Sequence, residues 1–121
     1  MTAPVDIARL EEFSDGTSDG LRALIRLFLT DTGDTIAELG TAVDESDQDA
    51  IRQLAHRAGG SCAVCGAAPL AARLLALEDR SVSAGPQDDA RLIRAVRAEF
   101  ANVTTFLDHY LERARPAEVR S

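Results

Sequence analysis

The chain has 121 residues, 45% of them apolar and 4% aromatic, with no Trp and a formal net charge of −7. The length suits one domain, and the apolar share excludes a disordered chain. The acidic balance argues against nucleic acid as a partner, because like charges repel the phosphate backbone. With so few aromatics, Leu, Ile, Val and Ala must build the core, a mixture that favours packed helices. All thirteen basic residues are Arg. No apolar run approaches the length of a membrane span. The N-terminus, MTAPVDIARLEEF, lacks the basic region and apolar stretch of a secretory signal. Two cysteines, Cys62 and Cys65, do not make a disulfide framework. The expectation is a reduced, cytoplasmic protein that binds neither membrane nor nucleic acid.

Breaks in the pattern fall at SDGTSDG (14–20), DESD (44–47), CGAAP (65–69) and SAGPQ (83–87). Before the first, residues 5–13 suit a short helix with Val5, Ile7, Leu10 and Phe13 on its apolar side, a lid on a larger bundle. Residues 19–43 carry a helical stripe of Leu21, Leu24, Ile25, Phe28, Leu29, Thr32, Ile36, Leu39 and Val43, in steps of three and four. Ser18 is placed to cap it, and Gly33 and Gly40 weaken it enough to allow a bend. Ser46 with Asp49 approximates a capping box for the next helix. Its stripe is Ile51, Leu54, Ala55, Ala58, Cys62 and Cys65, and Gly66 fits its C-terminal stop. Pro69 suits the first turn of a helix striped by Leu70, Leu74 and Leu77. The last helix spans about residues 87–113, with Leu92, Ile93, Val96, Phe100, Val103, Phe106, Leu107 and Tyr110 apolar. The expected architecture is all-α, an antiparallel up-and-down four-helix bundle with a short N-terminal helix. The expected organisation is a short helix and turn in 1–17, the bundle in 18–114 and a flexible tail in 115–121.

The stretch LAHRAGGSCAVCG carries the chemistry. At about 100° per residue, with Ile51 at zero, His56 falls at about 140°, away from the buried stripe. Gly59, Gly60 and Ala63 surround it on its C-terminal side, and Arg52, one turn earlier, is its nearest basic neighbour. Each helix-interior glycine costs roughly 1 kcal/mol relative to Ala. Two together imply that something approaches the backbone closely. An exposed neutral imidazole in such a clearing is a nucleophile that a docked protein can reach.

This stretch resembles the histidine-containing phosphotransfer (HPt) family, whose motif reads roughly A-H-x-L-K-G-S-[SA], then small or apolar residues, then G-A. Here it reads Ala55-His56-Arg57-Ala58-Gly59-Gly60-Ser61-Cys62, continuing to Gly66-Ala67, with Leu70, Leu74, Leu77 and Glu78 downstream. The upstream segment LIRLFLTDTGDTIAELGTAV resembles the family's first bundle helix. The resemblance implies that His56 accepts a phosphoryl group and that Gly60 opens the docking surface. One departure stands out: Gly59 occupies the position of a Lys thought to help hold the phosphoryl group. Arg52 is the candidate substitute.

The implied reaction is reversible transfer. His56 attacks the phosphorus of a receiver-domain aspartyl phosphate in line, from Nε2, and passes the group to another receiver. The partner supplies the magnesium ion and the Lys, so this chain needs no cofactor of its own. A hybrid histidine kinase is a further implied partner. No glycine-rich phosphate loop with a Lys is present, so the chain is expected to be a relay intermediate without autonomous kinase activity, free-standing and monomeric. The rival reading is an adaptor of the same fold that docks a receiver or kinase without being phosphorylated, which the missing Lys favours.

Cys62-Ala-Val-Cys65 is a C-x-x-C, yet both thiols fall on the buried stripe near a helix C-terminus, where the dipole disfavours a thiolate. Two small core residues is the preferred reading over a redox or zinc site. His109 is read as a surface histidine at a helix end. The run Arg91, Arg94, Arg97 is read as a solvated face, with an acidic receiver surface as its alternative contact.

Overall fold

The computed structural model describes residues 3–14, 16–79 and 86–113. Five helices follow in order: α1 (Ile7–Glu12), α2 (Ser18–Asp44), α3 (Gln48–Val64), α4 (Ala68–Glu78) and α5 (Pro86–Arg113). The four longer ones form a closed ring in which α3 packs against α2 and α4, and α5 closes on α4 and α2. Among the described residues there is no strand. The expected tail, 115–121, and most of the SAGPQ break lie outside the described residues.

Capping differs from the expectation at the starts of α2 and α3, whereas Pro69 lies in the first turn of α4 as expected. Thr17, not Ser18, caps α2, its hydroxyl accepting the Gly20 N–H at 2.9 Å. Asp47, not Ser46, caps α3 by accepting the Ala50 N–H at 3.1 Å. The reason is that Ser46 is used to end α2. It sits at φ +55°, its N–H donates to Val43 O at 3.1 Å, and the Asp47 N–H donates to Ala42 O at 3.0 Å. That pair of bonds is a Schellman motif, with a serine in the left-handed position where glycine is usual.

The same motif ends α3. Gly66 has φ +84°, its N–H donates to Ala63 O at 3.2 Å, and the Ala67 N–H donates to Cys62 O at 2.8 Å. Here the glycine is also crowded. A Cβ on it would lie 2.7 Å from Asp6 O and 2.9 Å from Arg9 Cβ. The Gly66 carbonyl accepts the Asp6 N–H at 2.9 Å, which ties the N-terminal segment over the α3–α4 turn. Val5 and Leu10 are buried there, as expected of a lid, whereas Phe13 is exposed. The helix itself is shorter than the expected 5–13. Tyr110 on α5 also meets this segment: burial first, then the charge of Glu11 and a hydrogen bond to it, raise the phenol above its ordinary pKa.

The core is aliphatic, as the composition required. Ile25 and Leu39 of α2, Ile51 and Ala55 of α3, Leu70, Leu74 and Leu77 of α4, and Val96, Val103 and Leu107 of α5 are fully or almost fully buried. Burial of each of the Leu, Ile and Val side chains among them contributes about 1.5–3 kcal/mol. α2 is one helix through Gly33 and Gly40. Those glycines instead admit α5: the Phe100 ring lies 3.4 Å from a Cβ built at Gly33, and the Arg97 guanidinium occupies the place of one at Gly40.

Candidate functional site

The buried stripe of α3 is Ile51, Ala55, Ala58 and Cys62, which turns His56 outward. Its side chain is 76% exposed. At the end of the neighbouring helix, Glu78 brings Oε2 to 2.8 Å from His56 Nδ1 while only 23% exposed itself. A carboxylate only accepts, so Nδ1 carries the proton and donates it. The ring is then held in the tautomer that leaves a lone pair on Nε2, the nitrogen away from Glu78. Glu78 is thus the orienting partner of His56. In the sequence it marks a Leu-Glu pair in the motif, but its contact with the histidine depends on how α3 and α4 cross.

The surroundings named from the sequence divide. Gly60 and Ala63 are exposed, and a Cβ built at Gly60 meets nothing within 4 Å. Gly59 is half-buried, and its missing Cβ would touch Leu74 Cβ at 3.6 Å and Ala71 O at 4.0 Å. That is a correction: Gly59 belongs to the packing of α3 on α4 rather than to the open clearing. Arg52 is exposed, with Nη1 3.8 Å from Asp49 Oδ1, one turn towards the N-terminus and away from the histidine. Helical side chains lean towards the N-terminus, which explains that direction. Arg52 also borders a shallow crevice with Leu77 and Glu78. Arg57 reaches the other way, its Nη2 lying 3.4 Å from Thr35 Oγ1 and 3.3 Å from Glu38 Oε2 on α2.

Beside the site, α4 turns an apolar surface outward. Leu75 is 51% exposed and three residues before Glu78, hence on the same side of the helix; Ala72 and Ala76 are exposed with it. Open concavities of about 270 and 640 Å³ run along the α4–α5 seam, and His56 lines neither. His109 is exposed at the second of them, and among the described residues no group of three His, Cys, Asp or Glu side chains could hold a metal ion.

The thiols are both free. Burial, with a smaller contribution from neighbouring Cys65, pushes Cys62 from 9.0 up to about 12. Cys65 is only half-buried, a departure from the expected stripe, yet burial raises its pKa too. Neither is a nucleophile near neutral pH. Of the arginine run, Arg97 lies over Gly40, and Arg91 Nη2 stands 3.7 Å from Asp88 Oδ1.

Residues 23–115 match the Hpt domain family. This chain belongs to that family. Among solved structures, histidine-containing phosphotransfer protein B (HptB) from Pseudomonas aeruginosa PAO1 is similar at 25% identity and a TM-score of 0.82, over 95% of this chain and 100% of that one. No curated protein sequence matches the chain. The Hpt match and the shared bundle give this domain a histidine phosphotransfer role in a phosphorelay. Among the described residues, no helix of the Hpt domain is long and apolar enough to cross a membrane.

Proposed function

We propose that this Hpt domain accepts a phosphoryl group on Nε2 of His56 from a receiver-domain aspartyl phosphate and returns it to another receiver. The observation that carries this reading is the 2.8 Å contact between His56 Nδ1 and Glu78 Oε2. It places the proton of the neutral ring on Nδ1, so that the lone pair is on Nε2, and 76% of the side chain is open to a partner. Attack forms the P–N bond as the aspartyl P–O bond breaks. The ring proton stays on Nδ1, where the carboxylate balances the positive charge that the ring acquires. The transition state is loose, so positioning and charge neutralisation carry most of the catalysis, and the magnesium ion and Lys belong to the receiver.

Docking uses the open ground around the histidine: Gly60, Ala63 and, on α4, Leu75. This is an apolar patch with a polar rim, as transient interfaces require. The protein is a cytoplasmic, monomeric carrier without kinase activity of its own. The adaptor reading leaves the orientation of His56 by Glu78 without a purpose.

The test is transfer from receiver domains carrying radiolabelled aspartyl phosphate. Acid-labile, base-stable label on the wild type and none on His56→Gln is the expected result. Binding of a receiver without transfer, across the receivers of the same genome, would establish the adaptor instead. Glu78→Ala is expected to slow acceptance by about tenfold, the lower end of what losing a histidine-orienting partner costs elsewhere.

A further inference from the structure

We propose that Gly59 is a positioning residue for the phosphoryl acceptor: it sets how closely α4 lies on α3, and so whether the Glu78 carboxylate reaches His56. The inference rests on His56 being the acceptor and adds the residue that holds its partner in range.

The register of the α3–α4 seam carries the argument. Gly59 lies against Leu74 and Ala71, and His56 meets Glu78. The numbers run in opposite directions, as antiparallel helices require. His56 and Gly59 are three residues apart on α3, and Leu74 and Glu78 are four apart on α4. At those spacings side chains stand one above the other on the same face of a helix. The two contacts are therefore neighbouring rungs of one seam, and the spacing at one constrains the other.

At the Gly59 rung the approach is close. A Cβ built there comes to 3.6 Å from Leu74 Cβ and 4.0 Å from Ala71 O. Those are ordinary contact distances, so a methyl fits. Carbons added beyond it press on Leu74, whose side chain is fully buried in a close-packed core. Helix axes stand about 8–10 Å apart according to the side chains between them, so a large residue at position 59 parts α3 from α4 by roughly 1 Å. At the His56 rung there is little slack. Nδ1 and Oε2 are 2.8 Å apart, and a hydrogen bond is lost beyond about 3.5 Å. Leu77, next to Glu78, is fully buried, so the Glu78 backbone cannot follow the histidine without opening the core. Parting the helices thus frees the ring to carry its proton on either nitrogen. The lone pair on Nε2, the attacking atom, is then no longer fixed. The seam admits glycine or alanine at position 59 and keeps the carboxylate on the ring.

The test uses the full chain as wild type, Gly59→Ala, Gly59→Leu, and Gly59→Leu combined with Leu74→Ala. Gly60→Leu, on open ground, is the control. ¹⁵N NMR of the imidazole nitrogens, with the ring neutral, reports the tautomer. Potassium phosphoramidate reports reactivity without a docked protein: the bond from Nε2 to phosphorus forms as the P–N bond of the reagent breaks and ammonia leaves. Gly59→Ala should keep the Nδ1–H tautomer and the wild-type rate. Gly59→Leu should show mixed tautomers and accept the phosphoryl group roughly tenfold more slowly, the loss expected of Glu78→Ala. Returning the volume with Leu74→Ala should restore both, and Gly60→Leu should change neither. Should Gly59→Leu fail to fold, Gly59→Val takes its place with the same outcomes. An unchanged tautomer in the larger variant, or a changed tautomer with an unchanged rate, would overturn the inference while leaving His56 as the acceptor. A wild type that takes no phosphoryl group on His56 overturns the proposed function, and the tautomers still decide whether Gly59 holds Glu78 in range.

Discussion

Gly60 and Gly66 lie within the same short stretch, and they are glycines for opposite reasons. At Gly66 the reason is inside the molecule. The backbone is left-handed at φ +84°, and a Cβ would lie 2.7 Å from the carbonyl of Asp6. At Gly60 the backbone is ordinary helix, and a Cβ would meet nothing within 4 Å. Its penalty of roughly 1 kcal/mol brings no internal return. A glycine that nothing in its own fold requires is best explained by what comes to rest against it. The contrast separates the end of α3 that serves folding from the middle of α3, the proposed docking ground.

The sharpest way to break this comparison is Gly66→Ala. It should destabilise by about 2–3 kcal/mol, combining the left-handed penalty with the collision at Asp6. Denaturant midpoints check this, and a loss below half that value would mean the N-terminal segment simply lifts off the turn. The closed side of α3 should next reveal itself in alkali. The Cys62 thiol has its pKa raised from 9.0 to about 12 in the folded state. Above pH 9 the unfolded chain releases a proton that the folded chain retains, so stability falls as pH rises towards 12. The slope is at most about 1.4 kcal/mol per pH unit from this group. Cys62→Ala should flatten that limb, and an unchanged limb would remove the thiol from the account.

Ser46 tests whether the left-handed position matters at an exposed residue. Ser46→Gly should raise stability by about 1 kcal/mol, because the Schellman turn after α2 then lacks a side chain at φ +55°. Smallest in stability, yet decisive for function, is Gly60→Ala. It should stabilise by up to about 1 kcal/mol while slowing exchange with receivers. Gly59→Ala, whose new methyl would point at Leu74, should stabilise without that slowing. Equal effects of the two on transfer would show that the open clearing is not the docking ground.

Much of this was legible in the chain. Steps of three and four in Leu21–Val43 and Ile51–Cys65 specify helices and turn His56 outward, since both statements need only the helical period. What escaped depends on the register between helices. Glu78 follows buried Leu77 by one residue, which puts it at the flank of α4, but which α3 residue it meets is set by the crossing of α3 and α4. The same crossing draws Gly59 against Leu74 and out of the clearing. Ser46 misled for another reason: serine is a strong cap by type, and only the conformation of the turn shows that it ends one helix rather than starting the next.

His56 and Glu78 are 22 residues apart and belong to consecutive helices joined by the turn at Cys65–Ala67. The proposed acceptor ring and its carboxylate partner therefore sit on one helical hairpin, a contact of short range along the chain. Such contacts form early and fast, because little loop entropy opposes them. Assembly of the nucleophile can thus precede closure of the ring by α5. Pulsed hydrogen exchange during refolding should protect the α3–α4 amides no later than those of α5. The proposed chemistry would then be carried by a local unit on which the remainder of the bundle closes.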